Sequence, residues 1–569
     1  MIIGYVTGSE KTSPYEFFIR MKSDLGKLPN YVPRVGEIIK VPFEYKNQGK
    51  ITAYGVITEV TANWDGYQMP GFEERLVIEK KAKIALRTFT AKAITTRIIS
   101  EKNKFNPPDV PPIPGSPVYL AEGEEIAIGL SFDEIMDKGR ALPVGILDNG
   151  YPAYVDLDYI LGENGAHINI SGQSGVASKT SYMTFLMRSI IDTLKGRIDP
   201  VFIVFNVKGQ SLMFLDETSR KWQNSLNTSQ GKRWLDMYKR LGINPKPFEN
   251  IEFYAVREST VTTKPNSLRN SAKAYWWNTK EFFENDLFEL IFDPDELSRN
   301  SNLMLAVITV EEFIFERLER KNWKNDKEVP KDSYELAKLI ANKESELHRR
   351  LQEEGIHRST IKLLQRRVQL ASKSGLELLW HRNDNSDNRI NWKEKGKITV
   401  VDISRLRTKM QAVVVGALLK DIVRAKEKDA SFIDIPVFIL IDELNKYSPR
   451  SERSEIASIF RDVSERGRSF GIILMGAEQT ASEVDYRVVT QASTTIVGRQ
   501  KWVELQKSEY GHLLPEQKRK AATLGKGEMI IDQPFLRIPI KISFPFPAWV
   551  LSEKDRGIDD EEIDMLYEV

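Results

Sequence analysis

Two stretches carry residues whose types and spacing can do chemistry. The first, HINISGQSGVASKTSYMTFL from His167, passes from an apolar segment through small residues to Lys179 and Thr180, then into helical spacing. A phosphate-binding loop reads G-x-x-x-x-G-K-[ST] between a strand and a helix. Counting back from Lys179 places Gln173 and Ser178 where the two glycines would stand, and counting from Gly172 makes the loop one residue too long. The physical requirements are still met. Gly172, Gly175, Ala177 and Ser178 are small enough for backbone N–H groups to turn onto phosphate. A following helix adds the partial positive charge of its N-terminus. Lys179 can then reach the β- and γ-phosphates, and Thr180 can offer its hydroxyl to Mg²⁺. The expected cradle is Gly172, Ser174, Gly175, Val176, Ala177, Ser178, Lys179, Thr180 and Ser181. The bland alternative is a tight strand-to-helix turn with a merely exposed lysine.

The second stretch, VFILIDELNKY, ends an apolar run in Asp442-Glu443. Two adjacent carboxylates at the end of a buried strand are costly unless they serve something. Ligands bind at the carboxyl edge of open α/β sheets. Beside a phosphate loop, Asp442 would hold Mg²⁺ and Glu443 would polarise the attacking water. The bland reading is a strand followed by the acidic first turn of a helix. Together the two stretches favour an ATP and Mg²⁺ site with a lengthened loop, with Thr180 and Asp442 on the metal.

The surrounding chain must supply the elements that position these residues. At 569 residues it exceeds one hydrophobic core, so several domains are expected. Its 41% hydrophobic and 28% charged residues are those of a globular protein, and a net charge of +2 neither demands nor excludes nucleic acid. With no cysteine, disulfides and cysteine-zinc sites are excluded, and five scattered histidines make a histidine metal cluster improbable. The first residues lack a signal-peptide pattern and the apolar runs are too short to span a bilayer, so a cytoplasmic location without membrane contact is expected.

Short strand-like runs over 1–105 suggest a small β-barrel, and NPPDVPPIPGSPV opens a proline-rich lead-in over 106–144. Strand-loop-helix-strand texture over 145–211 indicates a parallel α/β sheet. Residues 212–395 read as a mostly helical insertion, with Ile361, Leu364, Val368 and Ala371 on one face, and Leu336, Ile340 and Leu347 on another. Its charge runs read as solvated helix faces. Three apolar strands over 396–502 complete the sheet, and 503–569 form a C-terminal extension with a short strand pair.

In this order, PPIPGSPVY, HINISGQSGVASKTS, FNVKGQ, VVDIS, ILIDE and RGRSFGIILMGAEQ, the chain resembles the HerA-like ATPases of the HerA–FtsK group. The resemblance implies an N-terminal barrel that docks a partner, and a RecA-like P-loop core of α/β class carrying a helical insertion. It makes Lys179 and Thr180 the Walker A pair and Asp442 and Glu443 the Walker B pair. It makes Gln479 the sensor of the γ-phosphate and Arg468 the finger reaching a neighbour's nucleotide. Arg466 competes for that role, with Arg499 third. Near a helix end Arg466 reads equally well as a cation on the helix dipole. The loop departs from the family in length and in lacking a glycine before its lysine, and Asn206 stands where relatives often carry an acid.

The resemblance further implies a homo-oligomer, expected to be a hexamer. Its function would be ATP-driven translocation or unwinding of double-stranded DNA with a nuclease or sirtuin-type effector, in DNA end processing or anti-phage defence. Lys208, Lys446, Arg450 and Arg453 are the candidate phosphate contacts to DNA. A second reading is an oligomeric ATPase platform that assembles and activates an effector without translocating. A protein-remodelling machine is disfavoured because no C-terminal helical lid is recognisable.

Overall fold

The computed structural model describes residues 1–8, 10–21, 31–65, 86–102, 109–175, 178–209, 212–382, 389–428, 432, 434–451 and 454–556. The chain folds as two compact units. One comprises Met1–Leu157 and Tyr510–Phe544, the other Asp158–Glu509 and Pro545–Val569.

In the first unit, β1 (Ile2–Val6), β2 (Glu16–Met21), β3 (Ile38–Tyr45), β4 (Gly49–Asp65), β5 (Leu86–Ser100) and β6 (Pro117–Leu120) form a closed barrel in the order β1-β2-β5-β4-β3-β6. All neighbours are antiparallel. Alternation drives it: Phe17, Ile19 and Met21 of β2 point inward to meet Ile3, Ile39, Val41 and Ile57. Closure removes the unpaired strand edges that a small open sheet would expose. β6 follows the proline-rich stretch and seals the barrel between β1 and β3. A second antiparallel sheet, β7 (Ala141–Ile146), β8 (Pro152–Asp156), β17 (Glu528–Asp532) and β18 (Ile540–Ser543), runs β17-β18-β7-β8. The strand pair near the chain's end therefore completes a sheet begun before residue 157.

The second unit is built on β9 (Ala166–Ser171), β10 (Val201–Asn206), β11 (Ile251–Val256), β12 (Lys273–Tyr275), β13 (Ile398–Asp402), β14 (Val437–Asp442), β15 (Ile472–Glu478) and β16 (Ala492–Val497). They lie parallel in the order β12-β11-β13-β10-β14-β15-β9-β16. Every residue of β9, β10, β13 and β15 is buried, as a parallel sheet covered on both faces requires. β11 and β12 fall within the stretch that reads as mostly helical and extend the sheet past β13. β12 is the edge strand and β11 its neighbour, and their signal is weak because Glu252 on β11 is ion-paired to Lys273 and Lys397, both at 2.9 Å, which breaks the apolar run.

Helices Ser301–Leu318, Ser333–Ala341, Glu346–Glu353 and Arg358–Ala371 build the insertion. Ile361, Leu364, Val368 and Ala371 are buried together on the last of these. Leu336 and Ile340 share the second, but Leu347 sits on the third. The break has a local cause. Ser345 accepts a hydrogen bond from the His348 N–H at 3.0 Å and so starts a new helix, a cap worth about 1 kcal/mol. Among the described residues, no helix is long and apolar enough to cross a membrane.

His167 ties β9 to its surroundings. Leu474 N–H of β15 donates to its Nδ1 at 3.0 Å, so Nε2 carries the proton and donates to the Ser464 carbonyl at 3.0 Å. The ring is 3% exposed, and burial lowers its pKa from 6.5 to about 4. The folded state therefore prefers neutral His167. Its contribution is fully present above pH 6.5 and is lost as pH falls toward 4, up to about 3 kcal/mol in all. Urea unfolding at pH 7 and pH 4.5 should show a larger loss of stability for the wild type than for His167→Gln, and equal losses would reject this assignment.

Candidate functional site

The site lies at the carboxyl edge of β9, β15 and β14, where the parallel register brings three strand ends side by side: Ser171 opposite Glu478, and Ala477 opposite Asp442. β9 continues into the loop, whose start is held by Gly172 N–H to Glu478 O (3.1 Å) and Gln173 N–H to Arg499 O (2.8 Å). Gly175 is left-handed with φ 76°, and exposed together with Ser174. Val176 and Ala177 lie outside the described residues. Ser178 is also left-handed, at φ 49° and ψ 36°, directly before the helix Lys179–Leu194. A glycine adopts that conformation freely, whereas a residue with a Cβ pays about 1 kcal/mol. The serine thus occupies the backbone shape that the missing glycine would take. Its side chain caps nothing, so among the described residues the first N–H groups of a sixteen-residue helix are open to an acceptor. Ser181 is in that first turn.

Lys179 is 7% exposed and its Nζ donates to the Gly172 carbonyl at 2.7 Å. Burial lowers its pKa, while Asp442 and Glu443 pull the other way. Thr180 Oγ1 donates to Asp442 Oδ2 at 3.0 Å, across the intervening strand β15. Asp442 Oδ1 in turn accepts the Glu443 N–H at 2.9 Å. Glu443 is left-handed at φ 60° and 4% exposed. Gly476 makes room for this turn, since a Cβ there would lie 2.5 Å from the Leu444 side chain. Glu443 Oε1 accepts from Gln479 Nε2 at 2.9 Å and is ion-paired to Lys208. Burial alone would push the Glu443 carboxyl up. The bonds from Gln479 and Lys208 outweigh burial and hold it below the ordinary carboxylate range.

Lys179, Thr180, Asp442, Glu443 and Gln479 thus form one cluster. Arg466 and Arg468 do not join it. They precede the amino end of β15, whose seven residues put about 20 Å between them and the loop. Arg468 donates to the carbonyls of Gly162 (2.9 Å) and Glu163 (2.5 Å). Arg466 ends the helix Glu455–Arg466 and meets Asp462 at 3.3 Å and Glu427 at 3.6 Å. Arg450 is bound to Glu509 at 2.6 Å, Lys446 is exposed, and Arg453 lies outside the described residues.

Glu478 escaped the sequence reading, and Lys208 and Asn206 take roles it did not give them. Lys208, noted there only as a DNA contact, reaches Glu443. Glu478 is fully buried beneath the loop, and burial pushes its carboxyl well above the ordinary range. Its signal was present: it directly precedes Gln479 at the end of an apolar strand. Asn206 is also fully buried, bonding Asp402 Oδ1 (2.9 Å) and Gly209 O (2.6 Å) while accepting from Leu212 N–H (3.2 Å). An acid there would face the Asp402 carboxylate, which explains the neutral amide.

The cluster fits a phosphate and a hard cation. The uncapped helix N-terminus and Lys179 suit an anion. The hydroxyl and carboxylate oxygens of Thr180 and Asp442 suit Mg²⁺. Among the described residues no group of three carboxylates or histidines could hold a metal alone, so such an ion would depend on phosphate oxygens and water. Ser178→Gly should relieve the left-handed strain and raise stability by up to about 1 kcal/mol, read from urea midpoints. A destabilised variant would contradict the strain.

No protein-family model matches the chain. It is 23% identical over 188 residues to the DNA double-strand break repair helicase HerA of Pyrococcus furiosus, a match covering 27% of this chain and 34% of that protein. The chain thus spans about a third of the length of the curated relative it matches. Among solved structures it overlaps VirB4 of Thermoanaerobacter pseudethanolicus, with 13% identity, a TM-score of 0.44, and coverage of 74% of this chain and 98% of that one. It also overlaps the plasmid coupling protein TrwB in complex with ADP and Mg²⁺, with 9% identity, a TM-score of 0.45, and coverage of 74% and 94%. Over those 188 residues the chain is similar to a HerA helicase, which agrees with the resemblance of its motifs to the HerA-like ATPases of the HerA–FtsK group.

Proposed function

We propose that this chain is an ATP-hydrolysing, ring-forming DNA translocase or helicase of HerA type, working with a nuclease or other effector in DNA end processing or anti-phage defence. The observation that carries this reading is the 3.0 Å bond from Thr180 to Asp442. It joins the residue after the loop lysine to a strand-end carboxylate two strands away, the geometry that phosphoryl transfer needs between phosphate cradle and metal carboxylate. In this reading the open N–H groups after Ser178 and the Lys179 ammonium bind the polyphosphate. Mg²⁺ held by Thr180 and Asp442 would neutralise phosphate charge. Glu443, kept ionised by Gln479 and Lys208, orients the attacking water and accepts its proton. Gln479, already bonded to Glu443, senses the γ-phosphate.

Arg468 is too far from its own chain's loop to serve it, which supports a finger acting on a neighbouring subunit. The proposed assembly is a hexamer whose barrel docks the effector. The platform reading keeps the same ATP site but no translocation. What favours it is that two of the four cations nominated for DNA are engaged elsewhere, Lys208 with Glu443 and Arg450 with Glu509.

Glu443→Gln should bind ATP normally and lose about a hundredfold or more in turnover, whereas Lys179→Ala should lose binding. Wild-type turnover in Glu443→Gln would remove the assignment. A translocase should also show ATPase stimulation by duplex DNA that fades steeply with salt. A flat response at low salt selects the platform. Arg468→Ala should keep nucleotide binding and lose turnover, and mixing it with Lys179→Ala should restore some activity, because an intact loop can meet an intact arginine across an interface. With subunit exchange confirmed by fluorescence transfer, activity in Arg468→Ala alone at the wild-type level would sink the trans role.

A further inference from the structure

The segment after β16 is stitched to the site at three points. Gly498 N–H donates to Ser171 O at 2.8 Å, Arg499 O accepts from Gln173 N–H at 2.8 Å, and the Gln500 side chain donates to Gln479 O at 2.7 Å. Residue 499 is therefore fixed beside the first residues of the loop, which lie between it and the end of β15. The bond to Gln173 continues the β16–β9 ladder, which sets the two backbones about 5 Å apart. An arginine side chain is longer than that. Arg499 is exposed, and among the described residues no hydrogen bond or ion pair engages its guanidinium.

Two cations of the site are already engaged: Lys179 is buried and bonded to Gly172, and Lys208 is paired with Glu443. A backbone held this firmly beneath an unpaired guanidinium is a preorganised anion contact, because no existing bond has to break for it to act.

We infer that Arg499 binds, in cis, the polyphosphate of a nucleoside triphosphate held by Gly172–Gly175 and the start of the Lys179 helix of its own chain. This rests on the nucleotide-site reading above and removes Arg499 from the candidates for the trans finger. The guanidinium offers a planar fork that suits phosphate oxygens, which lysine does not reproduce.

The test is equilibrium binding of a fluorescent ATP analogue with Mg²⁺ to the full-length protein, followed by anisotropy at two salt concentrations. Arg499→Gln should weaken binding about tenfold or more, with a smaller salt dependence, and Arg499→Lys should fall between it and the wild type. Because the side chain is exposed, unfolding midpoints should be unchanged. Affinity in Arg499→Gln equal to the wild type would overturn the proposal. Failure of the wild type itself to bind, with Lys179→Ala no different, would instead reject the nucleotide site. A mixture of Arg499→Gln with Lys179→Ala subunits should recover no activity, since each chain carries its lesion into its own site. Recovery would make the contact a trans one and also overturn the proposal.

Discussion

The site depends on placing an ammonium where water barely reaches. Lys179 is almost buried at the head of its helix, and a lone charge there would be driven to neutrality by desolvation. Asp442 and Glu443 supply the opposing charge, but neither is near Lys179 in sequence. They are brought there by parallel pairing of β9 with β15 and of β15 with β14, all buried strands ending at one edge. The hydrophobic sheet is thus what makes a polar cluster possible. Each fully buried Ile, Leu, Val or Phe contributes about 1.5–3 kcal/mol, and the sum tolerates a few costly carboxylates at the strand ends.

The same cluster stores strain. Ser178 and Glu443 are both left-handed without being glycine, and they flank the Thr180–Asp442 bond. Such residues persist only where the surroundings over-determine them. For Glu443 the surroundings are Leu444 packed against Gly476, and the bonds to Asp442, Gln479 and Lys208. For Ser178 they are the anchored loop start on one side and a long helix with a buried face on the other. A cradle of this kind needs little reorganisation on binding an anion, which is where preorganised sites gain affinity.

Polarity along the sheet separates the arginines. Parallel strands give it two chemically distinct edges. Asp442 ends a strand, and Lys179, Glu443, Gln479 and Arg499 follow strand ends, whereas Arg466 and Arg468 precede a strand start. In the proposed ring, each subunit would present a receptive edge and a donating edge at once.

Much of this was legible in the amino-acid sequence. Apolar runs ending in Asp442-Glu443 and Gln479, and small residues before Lys179-Thr180, are local signals. A buried parallel strand and a strand-to-helix turn impose them within a few residues. The alternating segments of the barrel and the buried face of Arg358–Ala371 are equally local. What the sequence left open depended on contacts distant in the chain. Asn206 is explained by Asp402, Lys208 by Glu443, and the quiet strands β11 and β12 by pairing at a sheet edge through Glu252 and Lys397. The position of Arg499 beside Gln173 follows from β16 lying next to β9, across some 300 residues of chain. Residue type and spacing determined which chemistry the chain carries. Only the strand order, set by how the buried faces pack, decided which charges meet and which stay free.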